Sequence, residues 1–212
     1  MRNRAPKRKL THDVTRQVFK AAATGNAAKL DSVLQCMDIS ERTVVLETSS
    51  RLHLLECSGG ARTQGRLPAK MSAVPFPHNV RDRTPLLVAV ENGNLGCVKT
   101  LLRYKADIEG RGLQYSSFGA CTPLFVAAHQ AFLDVLRCLV EHGADLNARS
   151  STNNLTPLMA ASINGDVNVI SFLVTQGANV DLQDNSGNTA LHHAFLTAVT
   201  NDTRPIAFKR LR

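Results

Sequence analysis

Between Thr122 and Gly143 the apolar positions fall into two groups with different layouts. Leu124, Ala127 and Ala128 form a narrow stripe; after Ala131 comes the amphipathic run Leu133, Val135, Leu136, Leu139 and Val140. Apolar residues at three- and four-residue intervals predict helices, so this stretch predicts two short helices joined by a turn. The layout recurs. Thr84-Pro85-Leu86 opens a run that closes on Ala106-Asp107-Ile108, and Thr122-Pro123-Leu124 opens one that closes on Gly143-Ala144-Asp145-Leu146-Asn147. Thr156-Pro157-Leu158 opens a third that closes on Gly177-Ala178-Asn179-Val180-Asp181, and Thr189-Ala190-Leu191-His192 begins a fourth that is cut short. The openings lie 38, 34 and 33 residues apart.

Local chemistry supports the same elements. A threonine such as Thr122 caps a helix by accepting from the free amides of its first turn. Pro123 follows at the first helical position, where a missing N–H costs nothing. Gly93 and Gly165 stand where the first helix must stop, at positions suited to a left-handed residue. Ala131 replaces that glycine in the Thr122 unit, which predicts backbone strain of ~1 kcal/mol. Lys105 stands where Gly143 and Gly177 close the other second helices.

A period near ~33 residues with a T-P-L-H-x-A signature is the mark of ankyrin repeats. The sequence therefore resembles that family, which implies an all-α solenoid of stacked helix-turn-helix units with β-hairpin loops. About four to five repeats are expected, including a degenerate N-terminal one. Such a unit cannot bury its apolar face alone, and stacked neighbours bury it together.

The expected organisation is a basic disordered tail at 1–11, a degenerate capping repeat at 12–36, an irregular insertion at 37–80, ankyrin repeats at 81–199 and a C-terminal tail at 200–212. The capping repeat rests on Val14, Val18, Phe19 and Ala22, then Gly25, then Leu30, Val33 and Leu34, a helix pair without the Thr-Pro opening. Within the insertion, Val44–Leu55 predicts a short helical or extended piece, and Ser58-Gly59-Gly60, Pro75 and Pro77 mark loop. In the final unit a single helix to about Val199 leaves Leu191 and Phe195 under-covered.

Charge changes the picture only at the ends. Arg2, Arg4, Lys7, Arg8 and Lys9, with a net +3 from the tail, account for the whole formal charge of +8, so residues 11–201 are neutral overall. Nucleic-acid binding by the repeats would need a basic stripe, and none is expected. No apolar run approaches the ~20 residues of a membrane span, and no apolar segment of a secretory signal follows the basic N-terminus. The five cysteines are odd in number and contain no C-x-x-C pair. Cys97 and Cys138 fall on apolar sides of second helices, where cysteine behaves as a small hydrophobe. A reduced compartment, cytoplasmic or nuclear, fits that usage.

No phosphate loop, nucleophile elbow or paired metal motif occurs. The chain is expected to be non-enzymatic, without catalytic, cofactor-binding or metal residues. His192 occupies the signature histidine of its repeat, where a hydrogen bond at the helix start explains it; His129 reads as a contact residue. Binding is expected on the concave side, with a protein or peptide as partner. The first-helix faces there carry Val88, Glu91 and Asn92, then Val126, His129 and Gln130, then Ile163 and Asn164. The loop tips add Tyr115 and Asn153, with Ser117, Ser151 and Asp184. Val88, Val126 and Ile163 are expected to meet solvent, an apolar strip that marks an interaction site.

Three segments resemble the FEM-1 family of ankyrin proteins. These are Val18-Phe19-Lys20-Ala21-Ala22-Ala23-Thr24-Gly25, the long connection Gly110–Phe118, and Asn147 to Ala161 with its Asn153-Asn154-Leu155-Thr156-Pro157-Leu158. The resemblance implies a substrate receptor of cullin-2 RING ubiquitin ligases that holds C-terminal tails of target proteins in its groove. Acidic and hydroxyl side chains of that groove are matched here by Leu113, Leu155 and Asn164, none of which is negative. The family's cullin-binding box is absent, so cullin contact is not expected from this chain alone. The alternative function is a nuclear regulatory scaffold directed by the basic N-terminus.

Overall fold

The computed structural model describes residues 6–47, 83–112 and 116–201. Among them lie ten α-helices, one 3₁₀ turn at Ser116–Phe118 and no strand. The helices are α1 (Pro6–Thr24), α2 (Ala27–Gln35), α3 (Ile39–Glu47), α4 (Pro85–Glu91), α5 (Leu95–Arg103), α6 (Pro123–His129), α7 (Leu133–Glu141), α8 (Pro157–Asn164), α9 (Val167–Thr175) and α10 (Ala190–Asn201).

Each first helix starts as its residues dictate. The hydroxyls of Thr84, Thr122 and Thr156 accept from the amides of Leu87, Phe125 and Met159 at 3.2, 3.3 and 3.3 Å. Asn26 and Asp166 cap α2 and α9 in the same way. In the last unit the bond runs the other way: Nδ1 of His192, three residues on, accepts from the Thr189 amide at 3.2 Å. The other units put Leu87, Phe125 and Met159 at that position, all buried in the stack.

Two backbone positions bear out the sequence argument. Gly165 closes α8 at φ +79°, and Ala131 holds the same left-handed region at φ +59°. Gly143 and Gly177 follow α7 and α9 at φ +88° and +92°, and Lys105 does so after α5 at +64°. A side chain at Gly143 or Gly177 would meet nothing, so those glycines serve the dihedral and not the space. Replacing Ala131 with glycine is expected to raise stability by about 1 kcal/mol, the left-handed penalty relieved. Thermal unfolding of the two proteins side by side checks this, and a lower melting temperature in the glycine variant would contradict it.

The first helices α1, α4, α6, α8 and α10 pack one against the next in a single row, and α2, α5 and α7 pack behind them. The Arg137 guanidinium of α7 lies 4.8 Å from the ring centre of Phe172 in α9, carrying the second row onward. One continuous core runs from Val18 to Ala190. The turns are stitched unit to unit. The Asp145 amide donates to Glu109 at 2.8 Å, the Asn179 amide to the Asn147 side chain at 2.9 Å, and the Asn185 amide to the Asn153 carbonyl at 3.1 Å. Of the expected β-hairpins, the described residues retain one isolated antiparallel bridge, Gly112 with Cys121.

The N-terminal helix pair joins this stack directly, because α1 packs on α4 and α2 on α5. Helix α1 begins at Pro6, inside the segment expected as a tail, and so carries Lys7, Arg8 and Lys9. The expected irregular segment begins with a helix, α3, which buries Val45 and Leu46 against α1 and α4. Its remainder from residue 48, with Cys57, His53 and His78, lies outside the described residues.

Candidate functional site

The row of first helices is the scaffold on which the expected binding face lies. Each of these helices in the middle of the stack has seven or eight residues. Helix α6 meets α4 on one side, α8 on the other and α7 behind. That geometry covers almost the whole circumference: every residue from Pro123 to Ala128 is buried. The expectation of an apolar strip is therefore corrected. Val126 is 0% exposed and Val88 8%, and Ile163 is partly buried, packed against the core. A stripe of three apolar residues suits a helix with one covered side, whereas these helices are covered on three.

What remains accessible is the C-terminal end of each helix. Asn92, Gln130 and Asn164 are exposed, with Glu91, His129 and Ile163 beside them half-buried. The Asn92 side chain donates back to the Val88 carbonyl at 2.8 Å. His129 sets its ring edge-on to Phe118, 5.1 Å between centres, and burial pushes its pKa down. It sits in the row as a neutral aromatic donor–acceptor.

Glu91 is the distinctive member. Its side chain is 10% exposed and pairs with Arg83 through one carboxylate oxygen at 2.5 Å. The other oxygen, Oε1, is buried with no hydrogen-bond partner among the described residues. Burial pushes the carboxyl pKa up, and the Arg83 charge and hydrogen bond pull it part of the way back. A buried acceptor left unmade costs more than a normal hydrogen bond contributes, so Oε1 is a cost carried beside the Arg83 pair. Sequence reasoning placed Glu91 on the face but missed Arg83. The signal was present, a base immediately before the Thr84 cap.

The loop tips serve the stack itself. The Ser151 hydroxyl accepts from the Ala120 amide at 2.7 Å. The Asn153 carbonyl receives the next turn. Asp184 accepts from the amides of Ser186 and Asn188 and meets the His193 Nε2 at 2.9 Å. Burial pushes Asp184 upward, yet those contacts outweigh it and hold the carboxyl below its ordinary value. Tyr115 and Leu113 lie outside the described residues, Leu155 is buried, and Asn164 is open. The cysteines of the stack, Cys97, Cys121 and Cys138, are buried. Burial takes the Cys121 thiol to about 12, with Arg111 opposing weakly, so it stays protonated and packs as a hydrophobe. No group of three or more metal-ligating side chains occurs among the described residues, and no helix among them is long and apolar enough to cross a membrane.

Paired short helices, threonine-proline starts, left-handed stops and turns bonded from unit to unit define a stacked repeat protein. A family model for ankyrin repeats matches residues 71–150 and 124–201, and the chain belongs to that family. It is accordingly a protein–protein interaction module. It is 39% identical over 67 residues to human protein phosphatase 1 regulatory subunit 27, a match covering 32% of this chain and 40% of that protein. The mouse protein of the same name matches at the same identity and length. Bovine ankyrin repeat and SOCS box protein 5 is 37% identical over 68 residues, 32% of this chain and 19% of that protein. The chain thus spans well under half the length of each relative.

Proposed function

We propose that this chain binds a peptide or the edge of a protein along the row Glu91–Asn92, His129–Gln130 and Ile163–Asn164, as a FEM-1-like substrate-recognition subunit of a ubiquitin ligase. The observation that carries the placement is that Asn92, Gln130 and Asn164 are the exposed ends of first helices that are otherwise covered. An extended chain brings N–H and C=O groups, and exposed side-chain amides at the helix ends can pair with them. The matches to a phosphatase regulatory subunit and a SOCS box protein support a role in which the stack selects a partner for other machinery. The receptor reading rests on the three segments similar to the FEM-1 family.

The test is capture of peptides with free C-termini beside the same peptides amidated. The receptor reading expects capture that needs the free carboxylate; capture indifferent to it rejects the receptor and leaves the module. Within that screen, Gln130→Ala is expected to weaken binding about 5-fold, the scale of a neutral hydrogen bond. Asn164→Ala is expected to weaken it less. Undiminished capture by both variants, with melting unchanged, removes the row from the binding site.

A further inference from the structure

Three side-chain amides stand at one register of the stack. Asn92, Gln130 and Asn164 each lie eight residues after the threonine that caps their helix, at 84, 122 and 156, and all three are exposed. Helices α4, α6 and α8 pack in that order, so the amides form a ladder whose rungs take the spacing of packed helices, ~8–10 Å. The ladder is uncharged. Glu91 and His129 are the only ionisable residues on the three helices; Glu91 is paired with Arg83, and burial lowers the His129 pKa. Beside the middle rung stand two half-buried rings, Phe118 and His129, edge-on with centres 5.1 Å apart. The first rung is oriented from within. Asn92 gives one N–H to the Val88 carbonyl at 2.8 Å and keeps a second N–H, because a side-chain amide carries two donors.

We infer that this ladder takes an uncharged, proline-rich segment of a partner protein in the polyproline II conformation; the inference rests on the binding row proposed above and names its ligand class. Spacing selects the conformation. A polyproline II chain returns to the same side every third residue, a rise of ~9.3 Å, which matches the rungs. A β-strand does so every second residue, ~6.7 Å, and is out of step by the second helix. An α-helix offers no free carbonyls along its side, because they are bonded within it. Polyproline II leaves its carbonyls without internal partners, so one can meet each rung. Proline is tolerated there, since it loses the N–H and keeps the C=O. A proline ring at the middle rung has Phe118 and His129 to pack on, the kind of aromatic contact by which polyproline-binding grooves hold their ligands.

Fluorescence anisotropy of the full chain against two sets of labelled peptides tests this. One set holds repeats of Pro-Pro-X with X uncharged; the other replaces Pro-Pro with Gly-Ser, and both end in a free carboxylate. The proline set is expected to bind about 10-fold more tightly, because prolines already held in the bound conformation lower the cost of ordering. Asn92→Ala and Gln130→Ala should each weaken that binding about 5-fold, with melting unchanged. Raising salt from about 0.1 to about 1 M should leave it within about 2-fold, since screening acts on charge. A Gly-Ser set that binds as tightly and still depends on Gln130 overturns the conformational class and leaves the row standing. A proline set that binds both alanine variants undiminished overturns the row and the inference with it. An affinity that falls about 10-fold or more with salt overturns the uncharged ligand, and no binding by either set overturns the inference.

Discussion

Phe125→Ala is expected to cost about 3–5 kcal/mol, the range for emptying a buried aromatic site. Phe125 is 1% exposed and is the largest fully buried side chain of the stack. It sits in α6, the middle helix of the first row, with its amide on the Thr122 cap and its ring 5.5 Å from that of Phe118. The neighbours cannot close over the gap, because α6 is held between α4 and α8 by short, capped helices of fixed length. In a stack, stability is approximately a sum over units and their interfaces, so one void in the central unit weakens two interfaces. Single domains hold only about 5–15 kcal/mol in total, so the loss is a large share. Urea unfolding followed by circular dichroism should show a lower midpoint and a transition that broadens or splits as the two ends lose their shared centre. An unchanged midpoint would mean that the ring is not packed as described.

The second large effect is expected at the junction between the N-terminal helix pair and the Thr84 unit. Leu30→Ala should cost about 2–5 kcal/mol, and its consequence should be local. Leu30 is 0% exposed in α2, the helix that faces α5. The junction is specific. The Asn94 side chain donates to the carbonyls of Ala22 and Ala23 at 2.7 and 3.1 Å. Tyr104 donates its hydroxyl to Asp31 at 2.9 Å, and Arg103 also pairs with Asp31. The guanidiniums of Arg42 and Arg103 lie 5.1 and 5.2 Å from the centre of the Tyr104 ring. Arg103 is largely exposed, so its ion pair contributes little; burial around Leu30 carries the junction and the polar contacts set its register. Hydrogen exchange should therefore show protection lost over residues 18–35 and kept over residues 123–175. Loss spread evenly along the chain would show instead that all units open together.

Much of this was legible in the sequence because it is local. The threonine caps, the proline starts and the stops at Gly165 and Gly143 each depend on residues within one turn. The same logic placed Ala131 and Lys105 where other units carry glycine, and both hold the left-handed conformation of those glycines. It also found the uncovered Leu191 and Phe195, because the fourth unit lacks its second helix pattern. The exposure of the expected face was legible in part. Glu91, Asn92, Gln130 and Asn164 sit at accessible or half-accessible helix ends, while Val88 and Val126 were assigned to solvent and are buried.

That error has one source. A helix shows in its own sequence which residues are apolar, but not how many neighbours will cover it. Burial of Val126 depends on α4 and α8, whose defining residues lie more than thirty positions away on either side. The pairing of Glu91 with Arg83, the clasp around Tyr104 and the seating of α1 on α4 across the intervening residues 48–82 depend on the stack in the same way. The sequence by itself determined the repeat, its period, its caps and its left-handed stops, because these are short-range properties of the backbone. Only the tertiary structure decided which apolar residues the stack covers, which carboxylate is buried beside Arg83 and which helix ends are left open, because those follow from contacts between units.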